Sequence, residues 1–179
     1  YRVHGEWLFL SYDISLSETI NAALRLPVAM YSLMMLGFLV LLVWKLTHSR
    51  LVSALFALLA GLHPFLIGMS HILNPDTMFW SAAAASVVLV FLTLRHLSWR
   101  YAVAAGVCFG LAVAAKYTAN LLLIIFLLAF VAEMLYGKRT NSQLKTFIRT
   151  GVLLIIGAVA LGYLLFALLL PAALEDVHI

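Results

Sequence analysis

Long apolar runs alternate with short polar stretches along this chain, and the runs are close to the length that a membrane crossing needs. A hydrocarbon core about 30 Å thick takes roughly 20 helical residues to cross. Runs with at most one charged residue predict membrane segments at 26–44, 51–70, 77–94, 101–132 and 150–174. If the fourth run makes two helices, the pattern predicts an all-α fold, a polytopic bundle of about six transmembrane helices.

The run at 101–132 is broken only by Lys116, and it is too long for one crossing but short for two. Basic residues decide between these possibilities, because Lys and Arg are enriched in cytoplasmic loops. A hairpin turning near Lys116 gathers eight basic residues at one face: Lys45, Arg50, Arg95, Arg100, Lys138, Arg139, Lys145 and Arg149. A single crossing divides the basic residues almost evenly. We therefore predict a hairpin, with cytoplasmic loops at 46–50, 96–100 and 137–149.

The acidic residues, which do not enter that choice, collect at the opposite, outer face. They are Glu6, Asp13, Glu18, Asp76, Glu175 and Asp176, whereas Glu133 falls near the basic face. The chain divides into an outer loop remnant at 1–25, a transmembrane bundle at 26–174 and the start of the next outer loop at 175–179. A site that needs carboxylates is expected at the outer face, where the turns at 73–76 and 116–120 lie.

Composition argues against a water-soluble domain and against a nucleic-acid partner. Of the 179 residues, 65% are apolar and 10% charged, with a mean hydropathy of +1.11, whereas soluble domains carry about 25% charged residues. In a membrane protein, an excess of basic residues such as this net charge of +4 usually marks cytoplasmic loops rather than a nucleic-acid-binding surface. The single cysteine, Cys108, excludes an intrachain disulfide framework. The chain begins at Tyr1 without a signal peptide, so we expect it to be a fragment of a longer membrane protein.

Asp76 is the first candidate for chemistry. It ends a polar turn at 63–76 that contains two histidines and two prolines, and proline interrupts helices. Irregular backbone at membrane depth survives only where protein or a water-filled cavity satisfies its polar groups. Two interpretations stay open. Asp76 either only caps the next helix, or it also points a carboxylate into an outer cavity.

Lys116 is the second candidate, because a lone ammonium at membrane depth is costly unless it pairs or reaches water. It points either to lipid headgroups or into the bundle, and the small residues before it favour the bundle. Among these, Gly106 and Gly110 let the Lys116 helix approach the Asp76 helix closely. Since these antiparallel neighbours end at the same face, we predict one outer-face polar site, with Asp76 and Lys116 paired directly or through a shared phosphate.

The remaining polar candidates are less specific. Arg25 opens the first predicted helix, where it could bind a phosphate through its fixed fork of donors or equally anchor the helix at the headgroups. His63 and His71 are eight residues apart, in no recognised metal-ligand spacing. We expect neither a metal site nor a cofactor.

Three motifs, taken in order, resemble those of a known family. They are Arg25-Leu26-Pro27, His71-Ile72-Leu73-Asn74-Pro75-Asp76, and the stretch from Gly106 through Gly110-Leu111-Ala112 to Lys116. The chain is similar over 3–135 to the GT-C membrane glycosyltransferases of the protein O-mannosyltransferase and lipid A aminoarabinose transferase group. The resemblance implies transfer of a sugar from a polyprenyl-phosphate donor to a protein, lipid or glycan acceptor at the outer face. It also implies an integral membrane location, in a prokaryotic inner membrane rather than the endoplasmic reticulum.

The same resemblance implies roles for individual residues. It assigns Asp76, Lys116 and Arg25 to substrate binding. It assigns His4 to the carrier phosphate, although Gly5 stands where the family often has proline. The main acidic catalytic residue is expected before Tyr1, so the fragment is expected to be inactive alone.

Two other classes of protein stay open. A secondary transporter also places a charged pair at broken helices, but such a pair usually lies near the midplane of a fold with an internal repeat. In a non-catalytic membrane subunit, Asp76 and Lys116 would be incidental.

Overall fold

The computed structural model describes residues 14–63, 75–137 and 140–169, with the side chains of 26–63, 76–137 and 140–169. The helices in these ranges are α1 Ile14–Thr47, α2 Arg50–Gly61, α3 Pro75–His96, α4 Trp99–Ala115, a 3₁₀ helix at Tyr117–Leu121, α5 Leu122–Tyr136 and α6 Asn141–Leu169. The described residues contain no strand. The predicted all-α fold is confirmed.

Four segments of the described part of the chain are long and apolar enough to cross a membrane. They are Leu26–Thr47, Asp76–His96, Tyr117–Tyr136 and Asn141–Leu169. The helices α2 and α4 are also apolar but have only 12 and 17 residues, and α4 is about 25 Å long. The chain is therefore a polytopic membrane protein, as its hydropathy pattern predicts.

The run at 101–132 forms a hairpin, as the distribution of basic residues predicts. The α4 helix ends at Ala115, and Lys116 has an extended backbone (φ −157°, ψ 122°). The 3₁₀ helix then leads into α5. Near the other end of α5, Glu133 pairs with Arg95 close to the end of α3. Since the hairpin returns to that end, a single crossing is excluded.

The start of α1 differs from the prediction. The helix begins at Ile14, so residues 14–25 are helical and Arg25 lies inside α1 instead of opening it. The reason is that hydropathy marks where the apolar stretch begins, whereas backbone hydrogen bonding continues through the more polar residues before it. These residues include neither glycine nor proline, the two poorest helix formers.

Two other helix boundaries also differ. The last helix begins at Asn141 rather than at residue 150, because the Thr140 N–H donates to Gln143 Oε1 at 3.1 Å, one half of a capping box. Most of the predicted loop at 137–149 is therefore the first part of α6. The second helix ends at Gly61, short of the predicted residue 70, and residues 64–74 lie outside the described ranges.

The central helix of the described bundle is α4, which packs along both α3 and α6. Its glycines face α6, since a Cβ atom on Gly106 would lie 2.5 Å from Ala158 O and one on Gly110 would lie 2.6 Å from Gly162 O. The predicted close approach of α4 to a neighbouring helix at these glycines is confirmed. The prediction that this neighbour is α3 is wrong, because the glycines contact α6. The small residues Ala158 and Gly162 have the same four-residue spacing as the α4 glycines, so the two helices fit backbone to backbone.

Two ion pairs mark the two ends of α3. Asp76 pairs with Lys116 at one end, and Arg95 pairs with Glu133 at the other. Asp76 and Arg95 are about 28 Å apart along the helix axis, close to the thickness of the hydrocarbon core. Each pair therefore lies near one boundary of the membrane. This agrees with the predicted grouping of Asp76 with Lys116 and of Glu133 with the basic face.

Candidate functional site

Asp76 is held at the start of α3. It is the second residue of the helix, after Pro75, and proline is common at the first helical position because it needs no N–H partner there. A carboxylate in the first turn is stabilised by the positive end of the helix dipole. The Asp76 side chain is 21% exposed, so its carboxylate is both ordered by the helix and open to a ligand.

Lys116 meets this carboxylate from the end of α4. Its Nζ lies 2.7 Å from Asp76 Oδ1. The predicted pairing of Asp76 with Lys116 is therefore confirmed, and it is direct. The Lys116 side chain is 42% exposed. An ammonium has three donors. Among the described residues, Lys116 Nζ donates to Asp76, which leaves donors for a ligand.

The exposure of this pair limits what it does for stability. Ion pairs open to solvent contribute about 0–1 kcal/mol to folding. The pair therefore adds little to the free energy of unfolding, while it keeps a carboxylate and an ammonium together at the end of the bundle. Such a pair can bind an anion through the ammonium and orient a hydroxyl through the carboxylate.

A row of hydroxyl groups connects the start of α3 to α1. Ser81 Oγ donates to Tyr31 Oη at 3.3 Å, and Tyr31 Oη donates to the carbonyl of Met78 at 3.5 Å. These contacts place Tyr31 level with the first turns of α3. Arg25 is six residues earlier on α1, or about 9 Å along the axis, so its backbone lies at the same end of the bundle as Asp76.

The 3₁₀ helix that follows Lys116 is tied to α6. Tyr163 Oη donates to Asn120 Oδ1 at 2.8 Å, and the Tyr163 ring meets Phe109 edge to face with centroids 5.6 Å apart. The sequence pattern singles out neither Asn120 nor Tyr163. Each is a polar group among apolar residues, which is a weak signal, and nothing in the linear pattern pairs them.

The opposite end of the bundle holds a second ion pair, which the sequence pattern does not indicate either. Arg95 Nε donates to Glu133 Oε1 at 2.8 Å, and Arg95 Nη1 donates to the carbonyl of Leu46 at 3.0 Å. This guanidinium joins the ends of α1, α3 and α5. A cavity of about 390 Å³ also lies at this end, lined by Leu97, Ser142, Gln143, Thr146 and Phe147.

The remaining predicted candidates fall outside the side chains that the structure describes. His4 and His71 lie outside the described residues, and the side chain of Arg25 is not among those described. Within the described ranges, no three His, Cys, Asp or Glu side chains come together as metal ligands. The described site therefore consists of one carboxylate and one ammonium.

A match to a known protein family spans nearly all of the chain. The family model described as dolichyl-phosphate-mannose-protein mannosyltransferase matches residues 7–171. No curated protein and no solved structure gives a significant match. The matched region contains both ion pairs, and it confirms the family resemblance carried by the sequence motifs.

Proposed function

Because the chain belongs to the dolichyl-phosphate-mannose-protein mannosyltransferase family, a family of membrane glycosyltransferases, we propose that the Asp76 and Lys116 end of the bundle binds a polyprenyl-phosphate sugar donor. The donor's sugar passes to a protein, lipid or glycan acceptor at the outer face, as in GT-C enzymes. The observation that carries this proposal is the 2.7 Å contact between a half-exposed lysine and a helix-ordered carboxylate.

The chemistry needs a cation where Lys116 stands. In the transfer, the bond between the sugar's anomeric carbon and the phosphate oxygen breaks, and a bond forms from that carbon to the acceptor oxygen. The departing phosphate keeps the electron pair, and the acceptor hydroxyl loses its proton to a base. A fixed ammonium stabilises the charge on the departing phosphate. Lys116 therefore takes the phosphate, and Asp76 orients the acceptor or the lysine.

The depth of the pair supports this assignment. Asp76 begins a helix about 28 Å before Arg95, so the pair stands near the boundary of the hydrocarbon core rather than at its midplane. The phosphate of a lipid carrier lies at that boundary. A transporter is expected to place its charged pair near the midplane, so the depth favours a transferase.

Arg25 and His4 complete the proposed donor site. The backbone of Arg25 lies at the Asp76 end of α1, where a guanidinium is suited to bidentate contact with a phosphate. The role of His4 is carried by the family resemblance alone. The excess of basic residues at the opposite end supports an outer location for this site. The prokaryotic inner membrane is proposed from the family resemblance alone.

The proposal is tested by neutralising each charge in the intact protein, with Lys116→Met and Asp76→Asn. The assay measures mannose transfer from dolichyl-phosphate mannose in membranes with matched amounts of protein. We expect the loss of Lys116 to lower transfer by roughly 10²-fold, as for other groups that stabilise a developing anion. Asp76→Asn should also lower transfer.

The matched controls are Arg95→Met and Glu133→Gln, which break the ion pair at the other end of the same helix. Transfer per folded molecule should be close to wild type in these variants. Wild-type transfer by both Lys116→Met and Asp76→Asn would instead leave the pair with a capping role only, and the proposed donor site would be wrong.

A further inference from the structure

The turn that carries Lys116 has little internal rigidity. Lys116 has an extended backbone, and the five residues after it form a 3₁₀ helix, whose hydrogen bonds are weaker than those of an α-helix. The Ala119 N–H donates to Lys116 O at 2.9 Å, which ties the lysine backbone to that short helix. The position of the ammonium therefore depends on what holds the 3₁₀ helix in place.

One side-chain contact connects the 3₁₀ helix to α6. Tyr163 Oη donates to Asn120 Oδ1 at 2.8 Å across the ends of two helices. Asn120 is exposed and Tyr163 is 39% exposed, so the bond lies at the surface of the bundle. Interhelical hydrogen bonds between side chains hold neighbouring membrane helices in register with a modest stabilising effect.

The packing of α4 against α6 fixes where the Tyr163 hydroxyl stands. Tyr163 directly follows Gly162, which packs against the backbone of Gly106 and Gly110. Its ring lies edge to face against Phe109, with centroids 5.6 Å apart, and Phe109 is fully buried. The hydroxyl is thus presented by a close-packed and rigid part of the bundle.

We propose that Tyr163 and Asn120 are positioning residues that hold the turn at the depth where Lys116 reaches Asp76 and the donor phosphate. The part of this inference that concerns the donor phosphate rests on the proposed function. Neither residue touches the reacting atoms. Tyr163 acts through Asn120, and Asn120 acts through the backbone of the turn.

A cross-linking experiment tests the positioning without any activity assay. Cysteines replace Asp76 and Lys116 in a Cys108→Ala background, which removes the ion pair and leaves the Asn120 contact to hold the turn. The rate of joining by a short bifunctional thiol reagent is measured with and without Tyr163→Phe, which removes only the hydroxyl. The matched control is Tyr136→Phe, since Tyr136 is 85% exposed and lies at the opposite end of α5.

We expect Tyr163→Phe and Asn120→Leu each to lower the cross-linking rate several-fold. The double variant should be no slower than either single one, because both changes remove the same bond. Tyr136→Phe should leave the rate unchanged. An unchanged rate in Tyr163→Phe, or a double variant with fully additive loss, would overturn the proposal.

A kinetic arm separates this inference from the proposed function. In the otherwise unmodified protein, Tyr163→Phe should raise the KM for dolichyl-phosphate mannose several-fold with a smaller change in kcat, whereas a merely structural role would lower the amount of folded protein instead. If Lys116→Met abolishes transfer but Tyr163→Phe leaves KM unchanged, the positioning role is wrong and the proposed function stands. If Lys116→Met also leaves transfer unchanged, the proposed function fails with it.

Discussion

The two ends of α3 carry the same kind of contact with different residues. At one end the planar guanidinium of Arg95 donates to the Glu133 carboxylate and to the Leu46 carbonyl, and so joins three helices. At the other end, among the described residues, the ammonium of Lys116 donates to the Asp76 carboxylate. Arginine presents a rigid set of donors, whereas lysine is a mobile point charge with three. The difference indicates a structural tie at the Arg95 end and a binding site at the Lys116 end.

The exposure of the acidic partners agrees with this distinction. Glu133 is 12% exposed and Asp76 is 21% exposed, although both basic partners are nearly half exposed. The more buried carboxylate belongs to the guanidinium that is bonded twice. Removal of charge should therefore affect stability more at the Arg95 end and transfer more at the Lys116 end.

The comparison fails outright if the two ends do not face opposite sides of the membrane. We predict that cysteines introduced as Thr118→Cys and Thr140→Cys, each in a Cys108→Ala background, are labelled from opposite sides by a reagent that cannot cross the bilayer. Thr118 should react from outside, and Thr140 only after the membrane is opened. Permeabilised membranes provide the control in which both react. Labelling of both positions from one side would contradict the topology.

Reversing the charges of each ion pair in turn should give the next largest difference, a difference in sugar transfer between the two reversed proteins. Asp76→Lys combined with Lys116→Asp keeps an ion pair but moves the cation, so transfer should fall by roughly 10²-fold. Arg95→Glu combined with Glu133→Arg exchanges two charges that both lie in the last turns of their helices, so their summed interaction with the helix dipoles changes little, and most of the transfer should be retained. The measurement is mannose transfer at matched protein amounts. Equal transfer by both reversed proteins would mean that each pair is only a structural tie.

The close packing that supports the Lys116 end can be weakened directly. Gly110→Ala places a Cβ 2.6 Å from the Gly162 carbonyl oxygen, so it should lower the free energy of unfolding by about 1–3 kcal/mol. Gly157→Ala is the matched control, because nothing lies within 4 Å of a Cβ there. It should be neutral or stabilising, since alanine favours helix over glycine. Unfolding in detergent micelles, followed by circular dichroism, measures both.

The smallest effect is expected from exchanging the two cations. Arg95→Lys loses the simultaneous contacts to Glu133 and Leu46, so the free energy of unfolding should fall by about 0.5–1.5 kcal/mol with transfer unaffected. Lys116→Arg keeps the charge, so part of the transfer should remain with little change in stability. Thermal unfolding and transfer are measured on the same preparations. A larger stability loss for Lys116→Arg than for Arg95→Lys would reverse the assignment of the two ends.

Much of this arrangement follows from the sequence. The hairpin at Lys116 and the grouping of Asp76 with Lys116 follow from two one-dimensional rules, the length of a membrane crossing and the distribution of basic residues. Both rules concern depth in the bilayer, and depth is a property that a linear sequence records. The family resemblance followed from the order of three short motifs.

The contacts around the helix axes could not be predicted in the same way. Gly106 and Gly110 indicated a close approach, but only the folded bundle shows that α6 rather than α3 is their partner. Arg95 and Glu133 were both assigned to the basic face without being paired, and Asn120 and Tyr163 were not singled out. Hydropathy says how deep a residue lies and not which neighbour it faces.

The sequence by itself therefore determined that the chain lies in a lipid bilayer rather than in water. It also determined the fold class, the turn at Lys116 and which charges share an end of the bundle. The bilayer imposes these through the cost of placing charges and unpaired backbone groups in hydrocarbon. The tertiary structure alone decided which helices touch and which side chains tie them, including the bond from Tyr163 to Asn120. Those contacts depend on the rotation of each helix about its axis, which is set by the fit of all the neighbouring side chains at once.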